Sequence, residues 1–316
     1  MTYRATVTDI NRNLAATLKA SGPALVSDPK VLQPVTETLI AIITKTHACQ
    51  RDFGADNGED LGSLNEISEY DWLTIDTALD TVCGLAMALG ETFAQLWKMI
   101  EKPILKYASS TESTERSTAV GVISECIKGM KEAVTPFTAT LLPLLLKRLT
   151  DEDSETKSNA AYAVGLLQEF SEDEAKITSA FPQILSLLEP MLSMTAARSR
   201  DNAAGCVSRM ILRHPTNVPI PQVVPALLEI LPLKDDFDEN EPVWSCLVGL
   251  YSKGEQSVVQ RTGRLMAVLA EVVAEEPEGQ IGEETRGKIE QLVRYVAGKQ
   301  PGEVRKYEGL AAMVQG

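Results

Sequence analysis

Internal repetition sets the tightest limit on what this chain can fold into. The segment Lys157-Ser158-Asn159-Ala160-Ala161-Tyr162-Ala163-Val164 lines up with Arg200-Asp201-Asn202-Ala203-Ala204-Gly205-Cys206-Val207, which puts the two asparagines 43 residues apart. Arg116-Ser117-Thr118-Ala119-Val120-Gly121 stands in the same frame, 41 residues before Lys157. Glu241-Pro242-Val243-Trp244-Ser245-Cys246-Leu247 fills that frame more loosely one unit later. A proline-bearing apolar helix pattern precedes each of the last three: 140–149 with Pro143, 181–194 with Pro182 and Pro190, and 223–233 with Pro225 and Pro232.

A period of 41–43 residues built from two helical segments is the mark of HEAT-type repeats. One amphipathic helix pair cannot bury its own apolar stripe, so neighbouring pairs stack and share a core. Ala160, Val164 and Leu167, at i, i+4 and i+7, define that stripe in the second helix of one unit, while Ala160, Ala161, Ala203 and Ala204 let helices approach closely. The chain is therefore expected to be all-α, a right-handed HEAT-repeat solenoid of about six to seven helix pairs running through residues 1–316 as a single piece. The spacing predicts helices over roughly 8–21, 30–50, 69–90, 92–108, 114–132, 136–149, 154–170, 177–194, 199–213, 221–233, 241–252, 256–275 and 282–298. The polar stretch 52–69 is expected to be a flexible acidic loop, and the residues from Lys299 onward are expected to fray.

Composition narrows function mainly by exclusion. Asp and Glu number 44 against 30 Lys and Arg, a net charge of −14, which argues against a nucleic-acid partner. The longest unbroken apolar run, about 141–146, is far short of a membrane span and contains Pro143. Five scattered cysteines, at 49, 83, 126, 206 and 246, form no Cys-x-x-Cys pair and are expected to stay reduced, with Cys126 and Cys206 in the core. The two histidines, His47 and His214, have no second ligand at metal-binding spacing, and His214 before Pro215 reads as a helix end. There is no GxSxG elbow, no GxxxxGK[ST] phosphate loop and no GxGxxG turn. No catalytic residue, no metal ligand and no cofactor is expected, and the chain does not read as an enzyme.

The segments 115–121, 157–165 and 200–205, followed by Glu239-Asn240-Glu241-Pro242-Val243-Trp244, resemble the importin-β (karyopherin) family of nuclear import receptors, in particular the C-terminal part of its importin-4 type. The resemblance extends over about residues 60–275. It implies a piece of a longer receptor that shuttles between cytoplasm and nucleus. Implied cargo is basic: histones three and four with their chaperone, and ribosomal proteins. Ran GTPase and nucleoporins are implied as partners of a whole receptor and not of this piece.

In a solenoid, equivalent positions on successive second helices form columns. Thr118, Asn159, Asn202 and Ser245 share one such column, with Tyr162 one turn beyond Asn159 and Glu125 two turns beyond Thr118. Glu125, Asn159, Tyr162 and Asn202 are therefore expected to line a groove for an extended lysine-bearing peptide, the amides bonding its backbone and the carboxylate its ammonium. Asp238, Glu239, Glu241 and Trp244 beside them complete the candidate cargo site. Structural readings stand next to these. The asparagines suit a scaffold ladder equally well, Glu239 and Glu241 suit a helix N-terminus, and Trp244 suits a core. A HEAT scaffold of another class, such as a phosphatase scaffold or a ubiquitin-ligase regulator that binds folded partners, is the alternative function.

Overall fold

The computed structural model describes residues 3–50, 61–275 and 281–315. Among them there are seventeen α-helices and no strand. They pack as two compact units, residues 1–145 with 170–172 and residues 146–169 with 173–316.

In the first unit the helices are α1 (Tyr3–Val26), α2 (Pro29–Ile43), α3 (Leu61–Leu89), α4 (Ala94–Tyr107), α5 (Ser113–Met130) and most of α6 (Thr138–Arg148). Helices α1, α3 and α5 are the inner members of successive pairs, and small residues set how closely they approach. A Cβ on Gly22 would lie 2.6 Å from Ala88 Cβ, and one on Gly129 would lie 2.5 Å from the Ala86 carbonyl oxygen. Both contacts are closer than real Cβ atoms tolerate, so only glycine permits these crossings. A polar ladder sits in the same seam: Thr8 Oγ1 meets Thr74 Oγ1 at 3.2 Å, and Thr81 Oγ1 donates to the Asn11 carbonyl at 3.1 Å. These bonds satisfy polar groups that burial would otherwise penalise. On the outer side Trp97 is fully buried and meets the Phe137 ring edge-on at 6.4 Å.

Residues 71–107 are long and apolar enough to cross a membrane by length and composition, although no unbroken apolar run there is of that length. Their apolar face is core instead. Ile75, Ala78, Leu79, Val82 and Leu85 are buried, and Gly90 turns the chain between α3 and α4 with a φ of +57°. Residues 52–60 of the expected acidic loop lie outside the described residues, and from Leu61 the backbone is already α3. The helix expected over 30–50 stops at Ile43, with Thr44 closing it and Lys45 at φ +59°.

The second unit runs through α7 (Ser154–Phe170), α8 (Glu174–Ser179), α9 (Phe181–Leu188), α10 (Ala197–Arg213), α11 (Ile220–Ile230), α12 (Asn240–Ser252), α13 (Gln256–Val259), α14 (Thr262–Glu275), α15 (Glu283–Lys299), α16 (Pro301–Arg305) and α17 (Glu308–Gln315). Prolines explain where the single helix expected over 177–194 is divided, whereas the one expected over 256–275 breaks between Val259 and Thr262 without one. Pro182 begins α9, and Pro190 lies in the 3₁₀ turn 189–193 that ends it. His214 closes α10, as its place before Pro215 predicts. Arg264 crosses from α14 to the end of α11, donating to the carbonyls of Leu228 at 3.2 Å and Leu231 at 3.0 Å. A cation there answers the unpaired carbonyls of a helix C-terminus. The chain beyond Lys299 does not fray: Val304 and Leu310 are buried, each worth about 1.5–3 kcal/mol of transfer from water. Ala160, Val164 and Leu167 are all fully buried, as their spacing required, and so are Cys126 and Cys206.

Candidate functional site

Helix α7 starts at Asp153, whose carboxylate accepts from the Thr156 amide and hydroxyl, both at 2.7 Å. With the stripe 160/164/167 turned inward, Asn159 and Tyr162 fall at its margin and are half-buried. The neighbouring inner helix α10 is fastened to α7 by the residues of the repeat frame. Asn202 Nδ2 donates to Ser158 Oγ at 2.9 Å, and Ser199 Oγ donates to the Ser154 carbonyl at 3.3 Å. The same frame position bonds the preceding repeat elsewhere. In the first unit Thr118 Oγ1 donates to Asp76 Oδ1 at 3.3 Å, and in the second Lys288 Nζ donates to Ser245 Oγ at 3.1 Å. The column is thus a ladder between inner helices, and Asn202, 1% exposed, belongs to it. This corrects its assignment to a cargo surface. Its Nδ2 is spent on Ser158, its Oδ1 is buried, and a bound peptide would have to part the helices to reach it.

The acidic segment before α12 folds onto α10 because Asp201 gathers three consecutive backbone amides. Its Oδ2 accepts from Lys234 at 3.0 Å, Asp235 at 2.7 Å and Asp236 at 3.0 Å. Burial raises the Asp201 carboxyl above the usual carboxylate range, and the three amides oppose that rise. Nothing in the residue pattern singled Asp201 out; its place directly before Asn202 in a repeat frame was the one available signal. Arg198 Nε adds an ion pair with Asp236 at 3.5 Å.

Behind this loop lies a buried charge cluster. Arg209 Nη1 donates to Glu239, its Nε donates to Glu169 Oε2 at 2.8 Å, and its guanidinium lies over the Tyr162 ring, 5.5 Å from the centroid. Glu239 is 0% exposed, and its Oε1 has no hydrogen-bond partner among the described residues. Burial pushes its carboxyl up to about 7; Arg209 pulls it down, and Asp236 and Asp238 push it further up. Burial works against the charge of Arg209, but Glu239 and Glu169 outweigh it and hold the guanidinium charged. Glu239 fits only because residue 205 is glycine: a Cβ there would lie 1.1 Å from Glu239 Oε2. Glu239 was expected on a cargo surface and is instead the inner anchor of the acidic loop. Trp244 is likewise corrected from ligand contact to core. It is fully buried on α12, and its Nε1 donates to Asn240 Oδ1 at 3.2 Å.

Asp238 and Glu241 remain exposed, on either side of the buried Glu239–Asn240 pair. In the first unit Glu125 is half-buried on α5, and α3 beside it carries half-buried Asp76 and exposed Asp80. Burial raises the Asp76 carboxyl, and Asp80 raises it further. Burial also raises the Cys83 thiol, with Glu125 and Asp80 adding to that, so this thiol stays protonated. No three or more His, Cys, Asp or Glu side chains come together as a metal site among the described residues.

No family model matches the chain. It is 36% identical over 285 residues to a protein described as probable importin subunit beta-4 of Schizosaccharomyces pombe, covering 88% of this chain and 26% of that one. It is 29% identical over 288 residues to human importin-4, covering 90% of this chain and 26% of the relative. The chain therefore spans about a quarter of the length of these relatives. Among solved structures it is similar to Kap121p bound to Ste12p, with a TM-score of 0.60 and 14% identity over 89% of this chain and 28% of the other. It is also similar to Kap121p bound to RanGTP, with a TM-score of 0.59 and 12% identity over 99% of this chain and 30% of the other. At such identities these structures bear on the fold, a karyopherin HEAT-repeat solenoid.

Proposed function

We propose, for a chain that belongs to the importin-β family of nuclear import receptors, the role of a cargo-binding C-terminal segment that holds basic stretches of protein on its inner helices. The observation that carries this is the 36% identity maintained over 88% of the chain. The chemistry of the surface supports it. The exposed carboxylates Asp238 and Glu241 flank a loop pinned from below by Asp201 and Glu239, so their charge is held in place without being buried. Asn159 and Tyr162 in the second unit, and Glu125 in the first, are half-buried polar groups beside packed stripes. In the second unit such positions give a basic peptide an amide for its backbone and a ring for a lysine stem, and in the first a carboxylate for an ammonium. Histone tails, a histone–chaperone complex and ribosomal proteins are cargoes of suitable charge, carried between cytoplasm and nucleus. Ran and nucleoporins engage the whole receptor. The chain works by binding and not by catalysis.

Calorimetric titration with a lysine-rich histone-tail peptide tests this reading. Each charge-assisted contact is worth about 1.5–3 kcal/mol when partly desolvated, so Glu125→Ala should weaken binding about ten- to a hundredfold. Asn159→Ala should weaken it less. Neutralising Asp238 and Glu241 should act mainly through salt-dependent association. Trp244→Phe, a core change, should leave affinity unaltered. Unchanged affinity in both Glu125→Ala and Asn159→Ala, with melting temperature preserved, would remove the site from these helices.

A further inference from the structure

We propose that the first unit carries a second peptide site, on the edge where inner helices turn into outer ones, and that its ligand is a polyproline-II segment with a basic residue at every third position. It rests on different residues from the inner-helix surface and stands or falls apart from it. An open cleft of about 610 Å³ lies between the turn that leads into α4 and the turn 131–137 that leads into α6. Its floor is apolar, made by Ala94, Ala133, Pro136 and Phe137. Trp97 backs the Phe137 ring from the core.

Three exposed glutamates rim this floor: Glu91, Glu132 and Glu172. They are 41 and 40 residues apart, so each repeat delivers one at the same point of its turn. None of the three carboxylates has an ion pair or hydrogen bond with a described residue. Lys98 also lines the cleft, and it is held by Gln95 Oε1 at 3.3 Å. The rim is firm, because Thr135 Oγ1 donates to the Glu132 carbonyl at 2.7 Å and accepts from the Glu172 amide at 3.0 Å. One period further along the sequence stands Arg213, which ends the series.

The repeat spacing selects the ligand's form. Packed helices lie about 8–10 Å apart. A polyproline-II helix returns to the same side every three residues and advances about 9 Å in doing so. Basic side chains at i, i+3 and i+6 then meet successive glutamates, while the residues between them lie on the Pro136–Phe137 floor. Apolar grooves that include aromatic rings receive other proline-rich ligands; here the floor holds one ring, Phe137. An α-helix does not match, since three residues advance it only about 4.5 Å, and a β-strand does not, since it returns to one side every second residue.

Fluorescence anisotropy of the full chain with a labelled (Lys-Pro-Ala)₄ peptide tests this. A scrambled peptide of the same composition with its lysines contiguous is the control. The periodic peptide should bind at least about tenfold more tightly than the scrambled one. Exposed charge pairs each contribute a few-fold at most, so the triple variant E91Q/E132Q/E172Q should lose about tenfold. Ala133→Trp, which fills the floor without changing charge, should abolish binding. Melting curves would confirm that both variants are folded. Equal affinity for the two peptides, affinity unchanged in both variants, or displacement of the label from the cleft by an uncharged Phe-Gly peptide at equal concentration would overturn the proposal.

Discussion

Gly205→Ala is the smallest change that tests the buried charge cluster. The added Cβ would fall 1.1 Å from Glu239 Oε2, 2.3 Å from its Cδ and 2.9 Å from Arg209 Nη1. The carboxylate cannot stay, and being 0% exposed it has no nearby solvent to enter. Removing one partner of a buried ion pair costs about 3–5 kcal/mol. Here Arg209 keeps Glu169 and the Tyr162 ring, which lowers that figure. Against it stands the gain of about 1 kcal/mol when alanine replaces glycine within a helix. The net expectation is a loss of about 2–3 kcal/mol, read as a lowered urea midpoint for the unfolding of the second unit. Gly249→Ala and Gly287→Ala are the controls, since a Cβ at either meets nothing within 4 Å; both should stabilise by about 0.5–1 kcal/mol. In a Glu239→Ala background only the flexible end of Arg209 stays close, so adding Gly205→Ala should cost little further, a plain failure of additivity. A neutral or stabilising Gly205→Ala in the wild-type background, or full additivity with Glu239→Ala, would refute the reasoning.

Glu239 also predicts a pH dependence. Its folded carboxyl titrates near 7, above the unfolded value, so the folded state holds the proton more tightly. This contribution to stability is fully present below the ordinary glutamate range and is lost as pH rises toward about 7. Urea midpoints measured over that window should fall with rising pH, and Glu239→Gln should flatten the trend; a midpoint that rises instead would contradict it. The five cysteines are free, four of them buried and Cys83 half-buried, and burial raises the thiols of Cys206 and Cys246 to about 12. A thiol reagent should therefore react slowly with native protein and count five thiols after denaturation; fewer than five would mean a linked pair.

Sequence by itself determined the helices and their order. The stripe 160/164/167, the prolines at 182 and 190 and the capping His214 all act within one or two turns, where spacing along the chain maps directly onto a face or an end. The family was legible for the same reason, since it rests on short frames repeated at a fixed interval. The candidate site was legible only in part. Asn159 and Asn202 are equivalent in the repeat frame, yet the first is half-buried and the second is inside. Periodicity reports which side of a helix is packed, but not which later loop comes to cover its margin. That cover depends on Asp201 catching amides more than thirty residues onward, and on the space left by Gly205 for a carboxylate from residue 239. The Glu91–Glu132–Glu172 rim was in the sequence at the right interval, but three exposed glutamates mean little until the turns carrying them enclose an apolar floor. Contacts between distant segments are set by three-dimensional packing, so only the tertiary structure decided which polar residues face solvent and which hold the scaffold together.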